Sequence, residues 1–179
     1  DFLQLSEKYD ETVFANEVIF TYEESGKEYS FTPSGIRELA LKILNIQNRD
    51  KVMDLGCGTG GFMTTMFDNE KLARYTESEY AKDFPGAKYY GYEISTEECE
   101  IAVLRASLLG VYNIGRDFVN IDIDYQKGFC DTNKFNKIFA DYPRGLKYLP
   151  HNLEAKGKSS DWAFNNWICK HLTTKGKAV

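Results

Sequence analysis

Residues 51–62 read KVMDLGCGTGGF: an apolar run, Val52, Met53 and Leu55, enters a loop that carries Gly56, Gly58, Gly60 and Gly61. Glycine reaches positive φ at little cost and has no side chain to hold a ligand away, so a backbone this rich in it can wrap a small molecule closely. Gly56, Gly58 and Gly61 also satisfy G-x-G-x-x-G, the dinucleotide fingerprint. Asp54 weighs against a dinucleotide. A carboxylate two residues before the first glycine would face a pyrophosphate, and like charges at close range repel. A ligand with a free ammonium would be favoured by the same carboxylate. The alternative is a glycine-rich turn that holds no ligand.

The pattern D-x-G-x-G-x-G after a strand resembles the loop of class I methyltransferases, through Asp54, Gly56, Gly58 and Gly60. That resemblance implies S-adenosylmethionine, which carries both an ammonium and a sulfonium, and cofactor contacts from Asp54, Gly56, Gly58, Thr59 and Gly60.

Composition narrows the class. At 179 residues the chain suits one α/β domain with a real core rather than two. Hydrophobic residues at 42% and charged residues at 27% fit an ordinary globular chain. No apolar run nears the roughly 18 residues a membrane span needs, and no basic-then-apolar signal opens the chain, so a cytoplasmic protein is expected. Cys57, Cys99, Cys130 and Cys169 form no C-x-x-C pair, and His151 and His171 are the sole histidines, so no metal site is expected. A net charge of -5 gives no strong grip on nucleic acid, which needs phosphate neutralisation. Either the substrate is not nucleic acid or another domain or subunit supplies the grip. The chain opens without Met and closes at Lys177, Ala178 and Val179 as a strand begins, so a fragment is expected.

Residues 1–30 read as a short helical or irregular lead-in, and residues 31–179 as the domain. Thr32 is placed to cap a helix with Pro33 at its first position, and Ile36, Leu39, Ala40, Ile43 and Leu44 recur on one face. A helix from Gly61 to Phe67 should aim its N-terminus at the ligand. Residues 69–88 are polar and irregular, an insertion. Residues 88–94, KYYGYEI, form a second strand tipped by Glu93, which is placed to accept from both hydroxyls of a ribose. Ser95 with Glu98 forms a capping box for the next helix, with Ile101, Leu104, Leu108 and Leu109 as its buried face and Gly110 as its end. Phe118 to Ile123 alternates as a third strand. Asp122 at its end could accept from an adenine amine, with Asp124 as competitor.

The fourth strand, Phe135 to Ala140, delivers Asp141, Tyr142, Pro143 and Arg144 to the carboxyl edge of the sheet, where open α/β sheets bind ligands. A basic loop follows, from Arg144 and Lys147 through Lys156 and Lys158. A helix is expected from Asp161 to Leu172, capped by Ser159 or Ser160, with Trp162, Ala163, Phe164, Trp167 and Ile168 as core. Lys175 to Val179 reads as a fifth strand.

From Phe31 to Val179 this order of features resembles the methylation subunit of type I restriction-modification systems, in the N6-adenine DNA methylase family. The features that carry it are the FTP segment at residues 31–33, VMDLGCGTGGFM, the acid-tipped second strand, the proline turn after strand four, and SSDWAFNNWICKHLTTKGKAV. The resemblance implies a doubly wound, mostly parallel α/β sheet of order 3-2-1-4-5, truncated before its last strands. It implies that Thr32 and Pro33 lie over the methionine end of the cofactor, and that DNA is engaged through other domains or through specificity and restriction subunits. An exposed fifth strand would favour self-association. In the family's turn, Asn or Asp is followed by Pro-Pro and then Tyr or Phe. Here Asp141 and the Tyr142 carbonyl keep the acceptors for an adenine N6 amine, while Arg144 replaces the aromatic that stacks on a flipped base. Three readings follow: an adenine N6 DNA methyltransferase, a cofactor-binding assembly module that has lost catalysis, and an RNA or protein methyltransferase with a retuned turn.

Overall fold

Val52, Met53, Asp54 and Leu55 are all buried, as a strand covered on both faces of a parallel sheet must be, and they form β1 (Lys51–Leu55) at its centre. The computed structural model describes residues 31–47, 49–68, 87–93, 95–108, 119–122, 134–142, 144–146 and 159–179. β2 (Lys88–Tyr92), β3 (Val119–Asp122), β4 (Phe135–Ala140) and β5 (Leu172–Ala178) complete a five-stranded sheet of order β3-β2-β1-β4-β5. Each neighbouring pair is parallel. The order reverses between β1 and β4, and a switch point of this kind opens a crevice at the carboxyl ends of both strands. The doubly wound sheet implied by the sequence resemblance is present, in the implied order.

The helices are α1 (Ser34–Leu44), α2 (Gly61–Asp68), α3 (Thr96–Leu108) and α4 (Ser160–His171). One core lies between the sheet and α1, α2 and α3, built from Ala40, Leu44, Val52, Phe62, Met63, Met66 and Tyr89. A second, with Met53, Leu55, Phe135, Ile138, Phe164 and Trp167, fills the opposite face beneath α4.

Two expected faces are corrected. In α1 the buried residues are Ala40, Leu41 and Leu44, whereas Ile36, Leu39 and Ile43 are about half exposed. The helix carries two overlapping apolar stripes, and periodicity alone does not choose between them. Among the described side chains of α3 the buried ones are Cys99, Ala102, Arg105 and Ala106, while Ile101 is half-buried and Leu104 exposed; the side chains of Leu108 and Leu109 lie outside those described. Close approach is the reason, because a Cβ on Gly60 would stand 3.3 Å from the Cβ of Ala102. Small residues let α3 lie against the glycine loop; leucines would hold it off.

Three boundaries also differ. Pro33 occupies the N-cap position of α1 with no side-chain cap, and the Thr32 hydroxyl donates to the Asp141 carboxylate instead. The capping box at α3 is half formed: the amide of Glu98 donates to Ser95 Oγ at 3.3 Å, but the amide of Ser95 donates to Glu93 Oε1 at 2.9 Å. β5 begins at Leu172, directly after α4, where two β-branched threonines favour extended backbone. Residues 1–30, 69–86, 109–118 and 147–158, with the lead-in, most of the insertion, Gly110 and most of the basic loop, lie outside the described residues.

Candidate functional site

Gly56, Gly58 and Gly60 all have positive φ, at 84°, 53° and 83°. The loop is tied down at its start, where the amides of Gly56 and Cys57 both donate to the Tyr92 carbonyl at 2.9 and 3.0 Å. Its far side rests on α3, where Arg105 Nη1 donates to the Thr59 carbonyl at 3.0 Å. Arg105 is only 2% exposed, so a cation has been built into the floor beneath the loop. The turn after β4 closes the other side. The amide of Asp141 donates to the Leu55 carbonyl at 3.2 Å, bringing the ends of β1 and β4 together.

Between these elements opens a cleft of about 460 Å³, including its mouth, lined by Phe31, Thr32, Arg37, Asp54, Gly56, Cys57, Gly58, Thr59, Gly61, Phe62, Arg105, Phe139 and Asp141. Of the residues singled out in the sequence, Thr32, Asp54, Gly56, Gly58, Thr59 and Asp141 are brought together here. Asp54 is 1% exposed. Its Oδ2 accepts from the Tyr89 hydroxyl at 2.6 Å, while Oδ1 has no hydrogen-bond partner among the described residues. Burial pushes its carboxyl up to about 7 despite the Tyr89 bond, and the charges of Glu93 and Asp141 push the same way.

The remaining residues take other places. Glu93 is buried and does not line the cleft directly; its Oε2 accepts from the Gly58 amide at 2.9 Å and its Oε1 from the Ser95 amide at 2.9 Å. One carboxylate thus joins the glycine loop to the start of α3. Gly60 is packed against Met63 and Ala102 rather than the cleft. Pro33 is exposed at the start of α1. Asp122 ends β3, opposite Tyr92 of β2. The ring of Tyr142 stacks on Phe164 at 4.2 Å, which commits it to α4 and leaves its carbonyl as the group at the turn. Burial beside Phe164 raises the Tyr142 hydroxyl above its usual range, with Asp161 adding to it. Arg144 is exposed, and Pro143 lies outside the described residues. The turn is further held by α4, where Ser160 Oγ accepts from the Leu146 amide at 3.0 Å and Asp161 Oδ1 from the Gly145 amide at 3.4 Å.

Sequence reading missed Arg37, Tyr89 and Arg105. Arg105 interrupts an otherwise apolar helical face, a signal that was available. Arg37 and Tyr89 left none, because only the packed sheet places them beside Asp54. Among the described residues no cluster of His, Cys, Asp or Glu is arranged to hold a metal ion, and no helix is long and apolar enough to cross a membrane. The cleft offers a small molecule a buried carboxylate for a cationic group and a glycine backbone that it can approach closely. The exposed carboxylate of Asp141 stands at its edge.

Solved structures similar to this chain include methyltransferases. A modification subunit assigned to a type I restriction enzyme of Vibrio vulnificus YJ016 superposes with a TM-score of 0.65 at 16% identity, covering 90% of this chain and 34% of its own. The M protein of the type I restriction enzyme EcoKI gives 0.62 at 18% identity, covering 86% of this chain and 34% of its own. A protein of Listeria monocytogenes assigned to the class I S-adenosylmethionine-dependent methyltransferases gives 0.66 at 15% identity, covering 97% and 54%. The chain therefore spans about a third of the M subunits' length. No curated protein matches it. The model of the N-6 DNA methylase family matches residues 13–179, which takes in the glycine loop, the turn after β4 and every strand of the sheet, and this chain belongs to that family.

Proposed function

We propose that this chain is the catalytic part of an S-adenosylmethionine-dependent methyltransferase that acts on adenine N6 in DNA, as the modification subunit of a type I restriction-modification system. The observation that carries this reading is the unpartnered Oδ1 of buried Asp54, a residue that lines the same cleft as Asp141. An unpaired buried carboxylate oxygen is costly, and an amino acid's ammonium would satisfy it. The residues fit such a cofactor. Asp54 would take the ammonium, Gly56 and Gly58 would allow close backbone approach, and Glu93, held beside the loop by the Gly58 and Ser95 amides, would receive the ribose. Thr32 would face the methionine end, and Asp122 would serve the adenine.

Bound S-adenosylmethionine supplies a methyl group activated by its sulfonium. The work of the chain is placement. The Asp141 carboxylate and the Tyr142 carbonyl accept hydrogen bonds from the target amine's two N–H groups and draw its nitrogen toward a tetrahedral, nucleophilic geometry. Thr32 donates to the Asp141 carboxylate, so that acceptor must be released, or shared, when substrate enters. DNA would be held through other domains and through specificity and restriction subunits, in keeping with a net charge of -5. β5 stands at the edge of the described sheet, and pairing of copies along it is expected to give a concentration-dependent mass in sedimentation.

Calorimetric titration with S-adenosylmethionine tests the cofactor. Binding by the natural chain that Asp54→Ala abolishes supports it, and an unchanged affinity in the variant removes it. A second reading, a cofactor-binding assembly module that has lost catalysis, is favoured by the exposed Arg144 where a base-stacking aromatic would stand. The missing stack costs ~1–3 kcal/mol. Methyl transfer to DNA by Arg144→Phe separates the two: a gain supports an impaired adenine site, and no activity in either protein supports the module. Transfer to RNA or protein but not DNA would favour a retuned turn.

A further inference from the structure

Asp54 and Tyr89 are each 1% exposed and joined by a 2.6 Å bond, and the contact exists because of a gap beside it. Asp54 pairs with Gly91 in the β1–β2 register, and Tyr89 lies two residues before Gly91 on the same face. A Cβ at Gly91 would stand 3.1 Å from Tyr89 Cε1 and 2.9 Å from Cys57 Sγ. The bare backbone of Gly91 therefore leaves room for the phenol to reach Asp54. With Oδ2 taken by the phenol, the carboxylate is held in one orientation, and Oδ1, which has no hydrogen-bond partner among the described residues, is the oxygen this cleft-lining residue keeps available.

We propose that Tyr89, seated in the gap at Gly91, is a positioning residue that aims Asp54 at the cofactor's ammonium and sets the pH above which the cleft captures that ligand. The inference rests on the cofactor reading above. Its chemistry is a competition at one carboxylate. Burial opposes the ionised form of Asp54 most strongly, and the charges of Glu93 after β2 and Asp141 after β4 oppose it too. The Tyr89 bond is the largest influence in favour, followed by Arg37 from α1. Cys57 of the glycine loop lies beside Tyr89 and Asp54, and Arg105 from α3 lines the same cleft. Only ionised Asp54 can pair with an ammonium, so the affinity should rise with pH and level off near 7. A hydrogen bond to a charged group is strong enough that losing it should move this levelling point up by about one pH unit or more.

The test is calorimetric titration with S-adenosylhomocysteine from pH 5.5 to 8.5, on the natural chain, Tyr89→Phe and Gly91→Ala, with thermal melting to confirm that each is folded. The ligand's own amine titrates identically in all three. In Tyr89→Phe a deficit of about tenfold near pH 6.5 that shrinks as the pH rises supports the proposal, and Gly91→Ala should show the same trend. A deficit equal at every pH assigns Tyr89 to packing alone, and no deficit removes it from the site; either overturns the proposal. If the natural chain binds nothing at any pH, the cofactor reading fails. The carboxyl-carbon NMR titration of Asp54 in the ligand-free protein then decides the remaining claim, and an unchanged midpoint in Tyr89→Phe overturns that too.

Discussion

Gly56 lies so close to the turn after β4 that a Cβ built on it would stand 3.0 Å from the Asp141 carbonyl oxygen and 3.2 Å from the Cα of Tyr142. The first glycine of the loop is thus the seat of the candidate catalytic turn as well as part of the ligand cradle. Two demands meet at one residue: a φ of 84° and no side chain. Gly56→Ala is expected to cost about 1–3 kcal/mol by urea unfolding, from left-handed strain and displaced backbone. It should impair methyl transfer more than cofactor affinity, because the displaced atoms belong to Asp141 and Tyr142. An alanine variant of full stability would mean that the two loops are not in contact.

Glu93 holds two elements together through its two oxygens. Glu93→Ala leaves the Gly58 and Ser95 amides without their charged acceptor and is expected to cost about 2–4 kcal/mol. Glu93→Gln keeps one acceptor oxygen and should cost about half as much. Hydrogen exchange at these two amides should accelerate in the alanine variant, and unchanged protection would show that the clamp contributes nothing.

Asp54 destabilises the fold as it ionises. Its folded pKa, about 7, lies above the unfolded value, so its favourable contribution is complete below about pH 4 and is lost as the pH rises through 7. The loss amounts to at most about 4 kcal/mol. Asp54→Asn should be the more stable chain at pH 8, show a flatter stability profile from pH 4 to 8, and fail to bind the cofactor. Scanning calorimetry across that range checks it, and parallel profiles would refute the ionisation of a buried group. Such a trade of stability for a binding site is common at functional positions.

Helix α1 provides a direct comparison of two leucines. Leu41 is 8% exposed and Leu39 is 53% exposed. Leu41→Ala should cost about 2–4 kcal/mol and Leu39→Ala within about 0.5 kcal/mol by chemical denaturation. The reverse ranking would restore the face that periodicity suggests.

Much of the site could be read from local pattern because its chemistry is written in short segments. A buried apolar run, an acid and spaced glycines specify strand, carboxylate and loop within twelve residues, and of the loop's four glycines Gly56, Gly58 and Gly60 have positive φ while Gly61 starts a helix. Strand order was legible only through family resemblance, since no pairing rule inside one sequence selects β4 as the neighbour of β1. Helix faces were legible only in part: α1 offered two stripes, and α3 buried its small residues because it must approach Gly60 closely.

By itself, then, the sequence determined which segments are strands and helices, where the backbone must bend back, and that an acid precedes the glycine loop. Those features depend on propensity, capping and glycine's conformational freedom, all of which act over a few residues. Tertiary structure alone decided that Tyr89 takes one oxygen of Asp54 while the other has no hydrogen-bond partner among the described residues, that Glu93 ties Gly58 to Ser95, and that Arg105 supports Thr59 from beneath. Apart from the local bond between Glu93 and Ser95, these contacts join residues 35 or more positions apart, and their existence depends on the distances between packed strands and helices, which no local pattern records.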